Sequence, residues 1–178
     1  NLIKGHRKSI GDAELILGDL GDDDLVLKVL ISKKIDAVMH FAAFIEVGES
    51  MEVPLTYYEN NLAKTQKLLQ AMEVAGVNKF VFSSTAAVYG QPENVPIKES
   101  DPKQPINPYG ETKLAVEKMC HWQSQTNKLK YAALRYFNAC GAGKDGKIGE
   151  DHQPESHLIP LVMQTALGKR ENISIYGT

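Results

Sequence analysis

The sequence predicts an α/β protein built on a parallel sheet with helices on both faces, in a Rossmann-like doubly wound arrangement. Two observations lead to this class. Near-continuous apolar runs at residues 36–43 and 79–84 are typical of parallel strands that are buried on both faces. Segments with helical spacing of apolar residues separate these runs along the chain.

The first half of the chain alternates strand and helix signals. Residues 14–17 predict a short strand, and the aspartates at 22–24 can cap a helix over residues 25–32. A strand at 36–43 and a longer helix at 58–75, ended by Gly76, follow.

The second half begins with the strand at 79–84 and a proline-rich stretch. Five prolines from position 90 to position 108 indicate a long irregular loop, and such loops are usually functional. Asn107 and Pro108 predict the start of a helix that runs to about residue 126. The remaining predicted elements are a strand at 129–137, a loop at 138–155, a helix at 157–167 and a strand at 173–176.

Composition excludes several classes of function. With 20 basic and 22 acidic residues, the net charge of −2 gives no basic excess for a dedicated nucleic-acid binder. No apolar run approaches the roughly 20 residues that span a bilayer, and the first residues lack the apolar core of a signal peptide. Cys120 and Cys140 lack CxxC spacing, so we expect reduced thiols in a cytoplasmic protein and no metal site.

Tyr109 and Lys113 carry the first chemical signal. Four residues apart on a helix, their side chains share one face. A nearby ammonium and the positive helix N-terminus both favour phenolate, so Tyr109 could act as a general acid or base. Taken alone, this spacing also arises by chance on solvated helix faces.

The strand end at Ser83 to Thr85 adds a hydroxyl to the tyrosine and the lysine. Residues 83–90 (SSTAAVYG) and 108–113 (PYGETK) resemble the extended short-chain dehydrogenase/reductase family that modifies nucleotide sugars, and specifically its NAD-dependent sugar epimerases. Further matching blocks, in the family's order, are 40–43 (HFAA), 47–50 (VGES), 57–61 (YYENN), 134–138 (LRYFN) and 157–160 (HLIP).

The sequence does not contain the strand, the Gly-rich phosphate-binding turn and the helix with which the family begins. The resemblance therefore implies an internal fragment of a protein about twice as long. Residues 1–140 would be the NAD-binding domain, incomplete at its N-terminus, and residues 141–178 the beginning of a substrate-binding region. The missing turn is the main phosphate anchor, so activity is not predicted for these 178 residues by themselves.

The resemblance implies catalytic roles for Thr85, Tyr109 and Lys113, with Lys113 also lowering the pKa of Tyr109. It implies that NAD and a UDP-hexose bind. Cofactor-binding positions, besides Tyr109 and Lys113, would be Asn1, Asp19, Leu20, Phe41, Ala42, Ala43, Ile45, Asn61, Ser83 and Phe137. Substrate-binding positions, besides Thr85 and Tyr109, would be Asn138, His157 and Leu158.

Two of these positions depart from the family pattern. Ile45 stands where the family often has lysine, and His157 stands where some members have asparagine. One polar cofactor contact would therefore be absent, and the contact of His157 could differ.

The reaction implied is the interconversion of UDP-galactose and UDP-glucose through oxidation and reduction at C4, in a cytoplasmic homodimer. Another UDP-sugar epimerase remains an alternative. Dehydratases and decarboxylases of the same branch are a second alternative, although dehydratases typically place carboxylates where this sequence has Ala86 and Ala87. A non-catalytic dinucleotide-binding regulator is a third, which the intact Thr85, Tyr109 and Lys113 argue against.

Overall fold

Three parallel strands form the centre of residues 18–137. They are β1 (Val38–His40), β2 (Lys79–Thr85) and β3 (Lys130–Tyr136), and they lie in the order β1-β2-β3. Val38 pairs with Phe80, which in turn pairs with Tyr131. The predicted parallel sheet is confirmed, although β1 is shorter than the apolar run that predicted it.

This description comes from a computed structural model and covers residues 1–152 and 155–175. The described residues divide into two compact units. One is residues 18–137, and the other comprises residues 1–17 and the described part of 138–178.

Helices connect the strands of the larger unit. The side chain of Asp22 accepts a hydrogen bond from the Leu25 amide and so caps α1 (Asp23–Ser32), as the sequence predicted. Between β1 and β2 lie α2 (Val47–Glu52), α3 (Pro54–Tyr57), a π-helical turn (Tyr58–Ala63) and α4 (Lys64–Ala75). Gly76, with φ of 74°, ends α4 in the left-handed conformation that glycine adopts readily.

The segment after β2 leads to the longest helix. A 3₁₀ turn (Ala86–Tyr89) follows β2, and α5 spans Pro108–Thr126. The Asn107 side chain accepts a hydrogen bond from the Gly110 amide at 2.8 Å, so α5 starts where the sequence predicted.

A hydrophobic cluster fixes the helices on the sheet. Phe80 and Phe82 of β2 are fully buried against Leu68 and Met72 of α4 and Val116 of α5. Burial of a side chain of this size stabilises a fold by roughly 1.5–3 kcal/mol. The cluster therefore fixes the height of α5 relative to the end of β2.

The smaller unit has few regular elements among its described residues. These are a 3₁₀ helix (Arg7–Ile10) and α6 (Leu158–Ala166). The predicted strand at 14–17 is wrong, because none of the described strands pairs with it and an unpaired apolar run gains no ladder hydrogen bonds. The predicted strand at 173–176 is also wrong over 173–175, and residue 176 lies outside the described residues.

Within the described part of the chain, no helix combines the length and the apolar character needed to cross a membrane.

Candidate active site

Thr85 is the last residue of β2, and its hydroxyl lies at the carboxyl end of the sheet. Its backbone is extended, and its Oγ1 accepts a hydrogen bond from the Ala87 amide at 3.2 Å. Because Oγ1 accepts from this amide, the single proton of the buried hydroxyl is free to be donated elsewhere.

Tyr109 is the second residue of α5, and its phenol lies near enough to the Thr85 hydroxyl for that hydroxyl to influence its pKa. The cap at Asn107 fixes the turn that carries Tyr109. Burial raises the pKa of Tyr109, and the neighbouring Thr85 hydroxyl opposes that rise. The net direction is upward, and the lowering of this pKa by Lys113 stays a prediction.

The Lys113 ammonium is hydrogen-bonded to a backbone carbonyl and lies near two aromatic rings. Its Nζ donates to the Ser83 carbonyl at 2.8 Å and lies 4.9 Å from the centroid of the Phe82 ring. The distance from Nζ to the centroid of the Tyr109 ring is 5.8 Å. Desolvation lowers the pKa of Lys113 to about 8, so the ammonium remains mainly protonated at neutral pH.

The loop after β1 is shaped by Asn61, which lies in the π-helical turn between α3 and α4. Its amide accepts from the Phe44 N–H at 2.8 Å and donates to the Phe44 carbonyl at 2.9 Å. Such π-helical turns are frequent at functional sites. Asn61 therefore positions backbone beyond β1, which is consistent with an indirect role in holding a cofactor.

His40, the last residue of β1, is buried behind this loop. Thr65 donates its hydroxyl proton to the Asn61 carbonyl at 2.7 Å, so His40 Nε2 must be the donor in its 2.8 Å contact with Thr65 Oγ1. Desolvation, aided by the charge of Lys113, lowers the pKa of His40 to about 4. The ring is neutral at physiological pH.

The aromatic residues just beyond the ends of β1 and β3 are exposed. Phe41 follows β1 with 55% of its surface accessible, and Phe137 follows β3 with 64%. Ala42 is exposed, and Ala43 and Ile45 are half-buried. Ligands of open parallel sheets bind beyond the carboxyl ends of the strands, so this apolar surface lies at the expected edge.

The remaining expected cofactor residues of the larger unit lie before α1. Both carboxylate oxygens of Asp19 contact Lys64 Nζ, at 2.9 and 3.0 Å, and one of them accepts from the Gly21 amide. Leu20 packs against the hydrophobic cluster.

Four of the expected residues belong to the smaller unit. Asn1, Asn138 and Leu158 are exposed. His157 is the N-cap of α6, and its Nδ1 lies 2.8 Å from Glu155 Oε1.

The sequence matches a known protein family along almost its whole length. Residues 2–178 match the NAD dependent epimerase/dehydratase family. The chain belongs to this family.

Several similar proteins are named UDP-glucose 4-epimerase. The UDP-glucose 4-epimerase of Halalkalibacterium halodurans is 55% identical over 177 residues, which cover 99% of this chain and 53% of that protein. The crystal structure of UDP-glucose 4-epimerase from Brucella ovis in complex with NAD aligns with a TM-score of 0.95 at 43% identity, over 99% of this chain and 55% of that one. The UDP-glucose 4-epimerase of Bifidobacterium longum, in complex with NAD⁺ and UDP, aligns with a TM-score of 0.83 at 39% identity, over 91% and 49%.

The chain thus spans about half the length of the curated relatives it matches. The alignments confirm the Rossmann-like fold of this family member.

Sequence reasoning missed a set of polar residues directly behind Thr85 in this family member. Glu117 of α5 accepts from Ser84 Oγ at 2.5 Å and from Arg135 of β3 through Nε and Nη2, at 2.9 and 2.7 Å. Arg135 Nη1 also donates to the Tyr89 hydroxyl at 2.6 Å. We call these four residues the Arg135 network.

The available signal was a charged residue inside each apolar pattern. Glu117 lies on the buried side of α5, and Arg135 interrupts an apolar strand. Buried charges are rare unless they are paired, so the two together indicate a salt bridge.

Proposed function

We propose that the full-length protein interconverts UDP-galactose and UDP-glucose with NAD as its cofactor. The observation that carries this proposal is the proximity of the Thr85 hydroxyl, the Tyr109 phenol and the Lys113 ammonium at the carboxyl end of β2. Relatives that share about half of the residues of this chain are named UDP-glucose 4-epimerase, which supports this substrate pair.

The residues present fit a dinucleotide. A buried ammonium, the Ser83 carbonyl and the uncovered rings of Phe41 and Phe137 offer a cation, a polar backbone group and apolar surface. These are suited to ribose hydroxyls and a flat heterocycle. When bound, NAD supplies reversible acceptance and return of the hydrogen at the sugar C4.

Tyr109 and Thr85 manage the proton of the sugar O4 in this proposal. Tyr109 as phenolate would take the O4 proton when C4 is oxidised, and would return a proton to O4 when the 4-keto sugar is reduced. Its conversion to a base is favoured by the Lys113 ammonium and by the positive end of α5. Thr85 can donate its proton to the phenolate or to O4, and so connects the two oxygens.

The other roles follow the family match and are part of the proposal. Residues 1–140 would bind NAD and residues 141–178 would begin the substrate-binding region. The cofactor set comprises Asn1, Asp19, Leu20, Phe41, Ala42, Ala43, Ile45, Asn61, Ser83, Tyr109, Lys113 and Phe137. The UDP-hexose set comprises Thr85, Tyr109, Asn138, His157 and Leu158.

Epimerisation is favoured over elimination by the residues next to Thr85. Ala86 and Ala87 follow Thr85 in the 3₁₀ turn and supply no carboxylate for removing water from an oxidised sugar. The assembly we propose is a cytoplasmic homodimer. Support for the cytoplasm comes from the two cysteines, both of which are unpaired in the structure.

Replacement of Tyr109 by Phe in the full-length protein tests this function. We expect kcat for UDP-galactose conversion to fall by about 10²- to 10⁴-fold, the usual contribution of a positioned acid–base group. The amount of NAD released on denaturation should not change. Tyr58→Phe is the matched control, because Tyr58 is an exposed tyrosine of the π-helical turn. Undiminished turnover by Tyr109→Phe, or loss of NAD binding as the sole defect, would contradict the proposed role.

A further inference from the structure

Two glutamates and two histidines gather in the segment that precedes α6. Glu150, His152, Glu155 and His157 each offer one ligand atom, and these four atoms all lie within 4.8 Å of one another. The spacing is E-x-H-x-x-E-x-H, all within the smaller unit. We call these residues the His152 cluster.

Three of the distances within the cluster are close to those between the ligands of a tetrahedral ion, and the fourth is a hydrogen-bond distance. Four ligands placed about 2.1 Å from a zinc ion are about 3.4 Å from one another. His152 Nδ1 lies 3.5 Å from Glu150 Oε1 and 3.7 Å from Glu155 Oε2. His157 Nδ1 lies 3.4 Å from Glu150 Oε1 and 2.8 Å from Glu155 Oε1.

Glu155 Oε1 accepts hydrogen bonds from the backbone amides of Ser156 and His157 and contacts His157 Nδ1, but one other atom of the cluster lacks a hydrogen-bond partner among the described residues. The Nδ1 atom of His152 is shielded from solvent and has no hydrogen-bond partner among the described residues. It nevertheless faces carboxylate oxygens of two glutamates. A buried polar atom without a partner destabilises a fold, and a ligand at this point would remove that penalty.

The donor set identifies the chemistry of that ligand. Imidazole nitrogens combined with carboxylate oxygens suit zinc and similar first-row divalent cations, whereas calcium and magnesium prefer oxygen alone. Two carboxylates also neutralise a divalent charge. We propose that Glu150, His152, Glu155 and His157 form a zinc site.

Four protein ligands describe a closed, structural site and leave no position for a reacting water. Bound zinc would fix the conformation of the chain leading into α6, because His157 is also the N-cap of that helix. A metal bond through Nδ1 of His157 leaves Nε2 available for the contact with substrate proposed above.

The sequence prediction of no metal site considered cysteines, and both cysteines lie outside this cluster. The signal that it missed is the alternation of Glu and His over eight residues.

Metal titration of the full-length protein tests the proposal without any readout of activity. The chain is stripped with a chelator, titrated with Zn²⁺ by calorimetry, dialysed, and analysed for bound zinc by mass spectrometry. We expect one zinc per chain and a higher Tm with zinc than without it. The visible absorption of tetrahedral Co²⁺, and its loss when zinc is added, should report the same site.

Two variants locate the metal. His152→Ala and Glu150→Gln should each weaken Zn²⁺ binding by about 100-fold or more, since even changes beyond the ligand shell cost about 10- to 100-fold. His121→Ala, which alters an exposed histidine of α5, should bind as the parent chain does.

Retention of full affinity by both cluster variants would place the metal elsewhere and overturn the proposal, as would the absence of stoichiometric zinc from the parent chain. Circular dichroism shows whether each variant is folded. Should His152→Ala prove unfolded, Glu150→Gln decides, because that substitution keeps the size of the side chain and removes only its charge.

Discussion

The Arg135 network and the His152 cluster both bring oppositely charged groups together, but only the first is complete. In the network, the Glu117 and Arg135 side chains are 8% and 19% exposed, and Glu117 accepts three hydrogen bonds. In the cluster, the His152 side chain is 33% exposed, and its shielded Nδ1 has no partner among the described residues.

This difference in hydrogen bonding distinguishes charged groups that stabilise the fold from charged groups that we propose bind a ligand. Bidentate pairing of Arg135 and Glu117 joins β3 to α5 directly behind Thr85, so this network needs no further group to be stable. The His152 cluster has three contacts near metal-ligand spacing and one nitrogen without a hydrogen-bond partner among the described residues. Completeness of hydrogen bonding, rather than charge, distinguishes the two.

Removal of one member of the network should have the largest effect on stability. Glu117→Ala leaves the Arg135 guanidinium without its counter-charge, and breaking a buried pair in this way costs about 3–5 kcal/mol. Urea unfolding of the variant measures this loss in the free energy of unfolding. The loss should be the same with and without a chelator, because the network binds no ion.

The double variant Glu117→Leu with Arg135→Leu is the control for that result. It removes both charges, so its destabilisation should be smaller than that of Glu117→Ala. A cost below about 1 kcal/mol for Glu117→Ala would show that the pair behaves as a surface salt bridge.

The sequence predicted the local features of the site and missed the long-range ones. Asn107 and Pro108 predicted the start of α5. The family resemblance identified Thr85, Tyr109 and Lys113 as catalytic candidates, and these three residues lie close together in the structure. These depend on neighbours along the chain or on a motif.

The features that the sequence did not predict depend on residues that are far apart along the chain. The pairing of Arg135 with Glu117 joins positions 18 residues apart, and the direction of the Tyr109 pKa depends on burial that no motif encodes. Residues 14–17 do not form a strand, because a strand needs a neighbouring strand to pair with. The periodicity of the sequence alone does not show whether such a neighbour exists.

The dependence of stability on pH tests a histidine that, unlike His152, has a hydrogen-bond partner for its buried nitrogen. His40 has a partner in Thr65, in contrast to His152, and its pKa is lowered from 6.5 to about 4 by burial and then by the charge of Lys113. A histidine with a depressed folded pKa stabilises the fold above the unfolded pKa. That stability is lost as pH falls from 6.5 towards 4, because the unfolded chain binds the proton more tightly.

The contribution amounts to about 3 kcal/mol by linkage. Urea unfolding across this pH range should show a steeper loss of stability in the parent chain than in His40→Asn. His121→Asn, which changes an exposed histidine, should follow the parent chain. Equal slopes for the parent and His40→Asn would mean that folding does not lower the pKa of His40.

Gly110 tests the close approach that brings α5 to the end of β2. A Cβ at this position would lie 2.8 Å from the Ala87 carbonyl oxygen and 3.0 Å from Pro105 Cβ. Since the nearest obstacle is backbone, Gly110→Ala should force α5 away from the 3₁₀ turn and destabilise the chain by about 1–3 kcal/mol. The free energy of unfolding in urea measures this cost, and an unchanged value would show that the turn can move freely.

Gly48→Ala is the matched substitution in a helix that makes no such approach. Gly48 lies in α2, its φ is not positive, and an added Cβ would meet no atom within 4 Å. Alanine restricts the unfolded chain more than glycine does, so the variant should be more stable by about 0.4–1 kcal/mol. Urea unfolding of the two glycine variants should therefore give changes of opposite sign. Destabilisation by Gly48→Ala as well would mean that glycine is required in α2 for a reason other than space, and the effect of Gly110→Ala could then not be assigned to the contact with Ala87.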